Sequence, residues 1–134
     1  MKKIKKSVLF ICADQWRFDC FSFLNHQYAL TPNLDKLAKK SVIFKSHFAG
    51  IVPCGPSRTT MLTGLYPFIH RSVYNGAPLD KRFTNIAKEA RKLDYNPSLY
   101  GYTDTSWDPR YLDPKDEKNF TYESPMEGFD DGCV

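Results

Sequence analysis

The run Ser7-Val8-Leu9-Phe10-Ile11-Cys12-Ala13 constrains this chain more than any other segment. It has the length of a strand, carries β-branched and aromatic residues, and closes on the polar sequence Asp14-Gln15-Trp16-Arg17. A continuous apolar run leaves no face for water, so it reads as a central parallel strand buried on both sides. Such a sheet needs helices over its faces. Thr31-Pro32-Asn33-Leu34-Asp35-Lys36-Leu37-Ala38-Lys39 begins with a cap residue and a proline suited to the first helical position. Leu34, Leu37 and Ala38 fall on one side of that helix and its lysines on the other. Ser41 to Phe48 reads as a second strand. Phe83, Ile86, Ala87, Ala90 and Leu93 recur at helical spacing over roughly three turns. Tyr95 to Tyr100 reads as a short third strand. The expected class is α/β, a mostly parallel central sheet flanked by helices.

Charge narrows the partners. Residues 1–107 carry 16 basic and 7 acidic side chains, and residues 108–134 carry 3 and 8. A basic body suits an anionic substrate. The basic residues are scattered and form no nucleic-acid motif, so no nucleic-acid partner is expected. No run reaches the ~20 apolar residues of a membrane span, so no membrane partner is expected either. The four cysteines, Cys12, Cys20, Cys54 and Cys133, match neither a zinc spacing nor a C-x-x-C pair. The basic start Met1 to Lys6 imitates a signal peptide, but the apolar run after it is short and ends in Asp14 without a cleavage site; the expectation is a cytoplasmic protein. The length of 134 residues permits one domain. Its core is expected over 7–107, followed by an irregular acidic segment, 108–134, that could be a lid, a linker or disordered.

The stretch Cys54-Gly55-Pro56-Ser57-Arg58-Thr59-Thr60-Met61-Leu62-Thr63-Gly64 carries the chemistry. Pro56 fits the first turn of a helix, Ser57 to Leu62 contains no breaker, and Gly64 suits the stop. Cys54 is then expected just ahead of a helix N-terminus, where unpaired N–H groups and the dipole favour an anion. Arg58, one turn on, can aim a planar fork at the same place and hold a sulfate or phosphate bidentately. Taken singly, these residues have ordinary readings: a small buried cysteine, a reactive low-pKa thiol, a solvated arginine.

The whole pattern, C-x-P-S-R followed by T-G, resembles the sulfatase signature. Within that family the chain is most similar to the phosphonate monoester hydrolases. Asp14-Gln15-Trp16-Arg17 resembles their variant of the metal-binding strand end, with Gln in place of a second Asp. Asn75, in the turn-forming pair Asn75-Gly76, matches an active-site Asn of the same enzymes. Gly101-Tyr102-Thr103-Asp104-Thr105-Ser106-Trp107-Asp108-Pro109-Arg110 resembles their G-Y-T-x-T-x-x-D-P-R stretch, and the G-K-W-H type motif of many sulfatases is absent. Tyr102 corresponds to their substrate-facing tyrosine. For their threonine three candidates stand, Thr103, Asp104 and Thr105.

The resemblance implies an alkaline-phosphatase-like fold, of which this chain is the N-terminal part. It implies hydrolysis of sulfate, phosphonate or phosphate esters. Cys54, converted to formylglycine by a formylglycine-generating enzyme, is implied as nucleophile and metal ligand. Arg58 is implied as the second catalytic group, Asn75 and Tyr102 as substrate-binding residues, and Asp14 and Gln15 as ligands of a divalent metal (Ca, Mn, Mg, Zn or Fe). A homo-oligomer is implied for the full-length form. The family's remaining metal ligands have no counterpart in these 134 residues. Activity of this chain alone is therefore not expected, and two alternatives remain: an inactive fragment or assembly partner, and a thiol-based redox or binding protein using Cys54.

Overall fold

The computed structural model describes residues 6–132. Contacts divide the chain into two compact units, Met1–His47 and Phe48–Val134.

In the first unit the two expected strands are not formed: Ser7–Ala13 and the residues from Ser41 onward lack regular secondary structure. The reason is pairing. A strand exists through hydrogen bonds to a neighbour, and among the described residues the paired strands are Ser98–Leu99 and Asp130–Asp131. The apolar run is consequently exposed, Val8 at 86% and Ile11 at 77%. The expected helix does form, as α1 (Pro32–Ala38), with Pro32 in its first turn. Thr31 does not cap it. Its hydroxyl instead accepts the Ser22 N–H at 3.0 Å, and Asp35 accepts from both Ser22 Oγ (2.7 Å) and Thr31 Oγ1 (3.1 Å). This polar clip ties α1 to a 3-10 turn, Ser22–Leu24, rather than to a sheet. Leu34 and Ala38 are half-buried as expected, whereas Leu37 is exposed. Rings of Trp16, Phe21 and Phe23 stack beside the turn at 5.4 and 5.0 Å.

The second unit holds α2 (Cys54–Thr63), α3 (Pro67–His70) and α4 (Ile86–Lys92). It also holds β1 (Ser98–Leu99), which pairs in parallel with β2 (Asp130–Asp131), Ser98 opposite Asp130 and Leu99 opposite Asp131. Helix α2 stops where the sequence indicates: Gly64 adopts φ 70° and donates its N–H to Thr60 O at 2.9 Å. Helix α3 is one turn, with Pro67 at its start. Tyr74 to Ala77 close a tight turn, with Gly76 at φ 81° and Ala77 N–H on Tyr74 O at 3.1 Å. Helix α4 is shorter than its apolar spacing indicates, because Asn85 caps it: Asn85 Oδ1 accepts the N–H groups of Ala87 and Lys88, each at 3.0 Å. Phe83 and Leu93 fall outside the helix.

The acidic segment packs back onto this unit. Trp107 Nε1 donates to Pro125 O (3.0 Å), Asn85 Nδ2 to Glu127 O (2.8 Å), and Arg91 Nη2 meets Asp130 at 2.7 Å. The buried residues here are largely polar. Beside Ala77, Leu79, Ala87 and Met126 stand Thr59, His70, Ser72, Asn85, Thr103, Asp104, Thr105 and Asp108. Buried polar groups hold position only when hydrogen-bonded, and Thr105, His70 and Asp104 find their partners on α2.

Candidate active site

Helix α2 begins one step earlier than expected. Cys54 is its first residue, Pro53 is the extended residue before it, and Ser57 N–H makes the first intrahelical bond to Pro53 O at 3.1 Å. Pro56 sits within the first turn, where a missing N–H costs nothing. Cys54 is half-buried and not in a disulfide. Arg58 follows four positions later, on the same side of the helix.

Gly55 is the tightest point of the site, and motif reading had assigned it no role. Its N–H donates to Asn75 Oδ1 at 2.8 Å. A Cβ added here would lie 2.5 Å from Asp104 O and 3.1 Å from Asn75 Cα. Only glycine lets the 74–77 turn and the 101–105 loop close on the helix start. The same Asp104 carbonyl accepts Gly76 N–H at 2.8 Å, locking turn to loop.

Arg58 is held from three directions. Its Nη1 donates to Tyr102 O, its Cζ lies 4.5 Å from the centre of the Tyr102 ring, and its Nε lies 3.7 Å from Asp104 Oδ2. The side chains of Arg58 and Asp104 are 16% and 9% exposed, so the pair is largely shielded from water. Asp104 adopts φ 54°, a left-handed geometry that Asp and Asn tolerate better than most residues. This geometry sorts the three loop candidates. Thr103 and Thr105 are each 1% exposed, and both hydroxyls point inward: Thr103 Oγ1 donates to Ser124 O (3.2 Å), and Thr105 Oγ1 meets Thr59 Oγ1 (3.0 Å). Asp104 is the residue of the three that faces Arg58.

Two further buried polar residues were assigned no role by the motifs. His70 is 3% exposed. Its Nδ1 accepts the Ser72 N–H at 3.0 Å, which places the ring proton on Nε2, directed at Thr60 Oγ1 at 2.9 Å. Thr60 Oγ1 in turn donates to Pro56 O at 2.9 Å, bracing the first turn of α2. Burial pushes the His70 pKa down. Asp108 is the second, bonded to the Lys81 N–H and to Arg110. Hydrogen bonds from Arg110 hold its carboxyl well below the usual carboxylate range, aided by the Lys81 and Arg110 backbone N–H groups and opposed by burial.

The second unit thus brings Arg58, Asn75 and Tyr102 together at the start of the Cys54 helix. Asp14 and Gln15 belong to the first unit, at an exposed turn in which Gln15 has φ 53°. Among the described residues no group of three or more His, Cys, Asp or Glu side chains is placed to hold a metal ion. No helix of the described residues is long and apolar enough to cross a membrane.

Comparison with known proteins shows the family. The family model described as Sulfatase matches residues 6–131. The multifunctional alkaline phosphatase superfamily protein PehA of Trinickia caryophylli is 42% identical over 130 residues, covering 93% of this chain and 25% of that protein. The N-sulphoglucosamine sulphohydrolase of Homo sapiens is 33% identical over 88 residues, 66% of this chain and 17% of that one. The phosphonate monoester hydrolase of Agrobacterium radiobacter superposes with a TM-score of 0.84 at 51% identity, over 89% of this chain and 24% of that chain. The enzyme of the same kind from Silicibacter pomeroyi gives 0.88 at 48% identity, over 95% and 25%. The chain therefore spans about a quarter of the length of these last two and of PehA. The fold is alkaline-phosphatase-like α/β, of which this chain is a part. Because the family match runs through nearly every residue, the chain belongs to the sulfatases, a family of hydrolases.

Proposed function

We propose that this chain forms part of a hydrolase of phosphonate monoesters or sulfate esters, with Cys54 at the position of the nucleophile. The observation that carries the reading is the convergence of Arg58, Asn75 and Tyr102 on the first turn of the helix that begins at Cys54. The lean toward phosphonate monoesters rests on the Tyr102 loop and on the two solved enzymes it resembles.

Arg58 binds the anionic head of the ester. Its guanidinium is planar and permanently charged, and its position is fixed by the Tyr102 carbonyl and ring. Asn75 acts through the backbone: by holding the Gly55 N–H it sets the register of the helix start and with it the direction of residue 54. Tyr102 excludes water from one side of the guanidinium, which strengthens its attraction for charge that gathers on the ester oxygens. Converted to formylglycine by a separate enzyme, residue 54 supplies an oxygen nucleophile in place of sulfur. A divalent metal would supply Lewis-acid stabilisation of an ester's oxygens, and Asp14 and Gln15 would be oxygen donors to it on this chain. That set is too small by itself for a hard cation, which takes six or more ligands, and no step here runs through the metal.

The test is chemical. The chain is co-expressed with a formylglycine-generating enzyme and the peptide containing Cys54 is weighed. Loss of the thiol sulfur and appearance of an aldehyde are the expected result. A fully retained thiol refutes the nucleophile assignment. A second reading, that the chain serves as an assembly partner without activity of its own, draws on the exposure of Val8, Leu9, Phe10 and Ile11. Turnover of an aryl phosphonate monoester by the chain alone refutes that one.

A further inference from the structure

We propose that Asn75 is a self-modification site that the fold keeps latent. The Asn75-Gly76 pair is held in a geometry that blocks its conversion to isoaspartate, and the conversion proceeds once the turn opens. Neither a substrate nor a metal enters the reaction.

An Asn followed by Gly meets the least obstruction in this chemistry, because Gly76 carries no side chain beside the attacking nitrogen. The backbone nitrogen of Gly76 gives up its proton to base and forms a bond to Asn75 Cγ. The Cγ–Nδ2 bond breaks, and Nδ2 leaves as ammonia with a proton from water. A second water opens the five-membered imide at one of its two carbonyls, leaving isoaspartate or aspartate. Asn75 is exposed, so water reaches it.

Three features withhold the first step. Ala77 N–H on Tyr74 O closes a turn centred on Asn75 and Gly76, and Gly76 at φ 81° after an Asn75 of negative φ makes it type II. Such a turn sets the Asn75 ψ at about 120°, which swings the Gly76 nitrogen about a third of a turn away from Cβ, whereas the five-membered ring needs the two nearly eclipsed. The Gly76 N–H also donates to Asp104 O at 2.8 Å, so the proton that must be lost is held in a hydrogen bond. Finally, Asn75 Oδ1 accepts the Gly55 N–H at 2.8 Å, which fixes the side chain toward α2. That bond draws electrons from Cγ and favours attack, but an activated carbon with no nitrogen in range does not react, so the geometry decides. The product does not fit back. Isoaspartate adds a backbone methylene ahead of Gly76 and leaves a carboxylate directly on Cα. Gly76 N–H is displaced from Asp104 O and the side-chain acceptor from Gly55 N–H, so an opening that reaches reaction removes the site irreversibly.

The test incubates the full chain at neutral pH across a urea series from zero to beyond unfolding. The peptide containing residues 75 and 76 is resolved by chromatography and weighed, and protection of the Gly76 amide against hydrogen exchange is measured by NMR in the same series. The folded chain should convert at least about tenfold more slowly than the unfolded one, and conversion should accelerate in step with loss of Gly76 protection. Gly55→Ala, whose methyl presses on Asp104 O and Asn75 Cα, should convert about tenfold faster than wild type. Tyr122→Ala, which removes the ring lying against Gly76, is the second variant should Gly55→Ala fail to fold, and it should accelerate conversion as well. Conversion as fast in the folded chain as in the unfolded one overturns the proposal. So does slow conversion that does not follow Gly76 protection, or that keeps the wild-type rate in the folded variants, because the turn is then not what guards Asn75.

Discussion

Replacing Gly55 by alanine sets two effects against each other, and the structure says which wins. Gly55 lies in the first turn of α2, and in an exposed helix the change from Gly to Ala gains about 1 kcal/mol from backbone entropy alone. Against this stands the new methyl. Its carbon falls 2.5 Å from Asp104 O, 3.1 Å from Asn75 Cα and 3.2 Å from Asn75 Oδ1. Two of these contacts are with backbone, which cannot swing aside as a side-chain tip can. The Gly76–Asp104 hydrogen bond joins both obstacles into one unit, so relief requires the turn and the loop to move together. Overpacking of this kind costs about 3 kcal/mol, which leaves a net loss of about 2 kcal/mol. In a domain of this size that lowers the melting temperature by roughly 7 °C. The assay is urea and thermal unfolding of the full chain, with Gly50→Ala as control, since a Cβ at Gly50 meets only Thr60 Cγ2 at an ordinary 3.7 Å. Gly55→Ala should also shift the Asn75 side-chain amide resonances. A variant as stable as wild type, or more stable, would show that helix propensity governs the position and that the close approach of loop, turn and helix is not real.

Two further outcomes follow from the polar interior. Burial depresses the His70 pKa, so the unfolded chain takes up a proton that the folded one resists. The His70 contribution to stability is then complete above its ordinary value near ~6.5 and is lost as pH falls below it. The pH slope of the urea midpoint between about 6.5 and 5 should flatten in His70→Asn, and an identical slope refutes the linkage. Asn85→Ala removes two bonds to the start of α4 and the bond to Glu127 O from a side chain that is 2% exposed. The expected loss is about 2 kcal/mol in the same unfolding assay, with faster amide exchange at Ala87 and Lys88; a loss below about 0.5 kcal/mol contradicts the capping role.

What the sequence revealed of the fold divides along local and non-local lines. Helix α1, the stop at Gly64 and the turn at Asn75-Gly76 were legible because each is set by residues within a few positions. The Ser7–Ala13 run was read correctly as apolar and wrongly as a formed strand. Its composition prepares it for a sheet, but a strand is a relation between two segments, and composition does not supply the second. The capping of α4 by Asn85 was missed for a related reason. The apolar spacing begins at Phe83, and only the side-chain bonds of Asn85 show where the helical backbone starts.

The candidate site shows the same division more sharply. Cys54 and Arg58 came from the C-x-P-S-R pattern and its resemblance to the sulfatase signature, and a helix turn, which brings positions four apart to one side, accounts for their spacing. Tyr102 and Asn75 came from resemblance, and the structure explains what each touches: Arg58 for one, the Gly55 N–H for the other. Gly55, His70 and Asp104 were hidden in three different ways. A glycine in a motif looks like a spacer until something is seen to press on it. A histidine without neighbours of its own kind looks like packing until its two nitrogens are traced, one to Ser72 and one to Thr60. A carboxylate between two threonines looks interchangeable with them until both hydroxyls prove to be bonded inward and the carboxylate to lie 3.7 Å from Arg58 Nε. In each case the information lies in which atoms stop a side chain from going elsewhere.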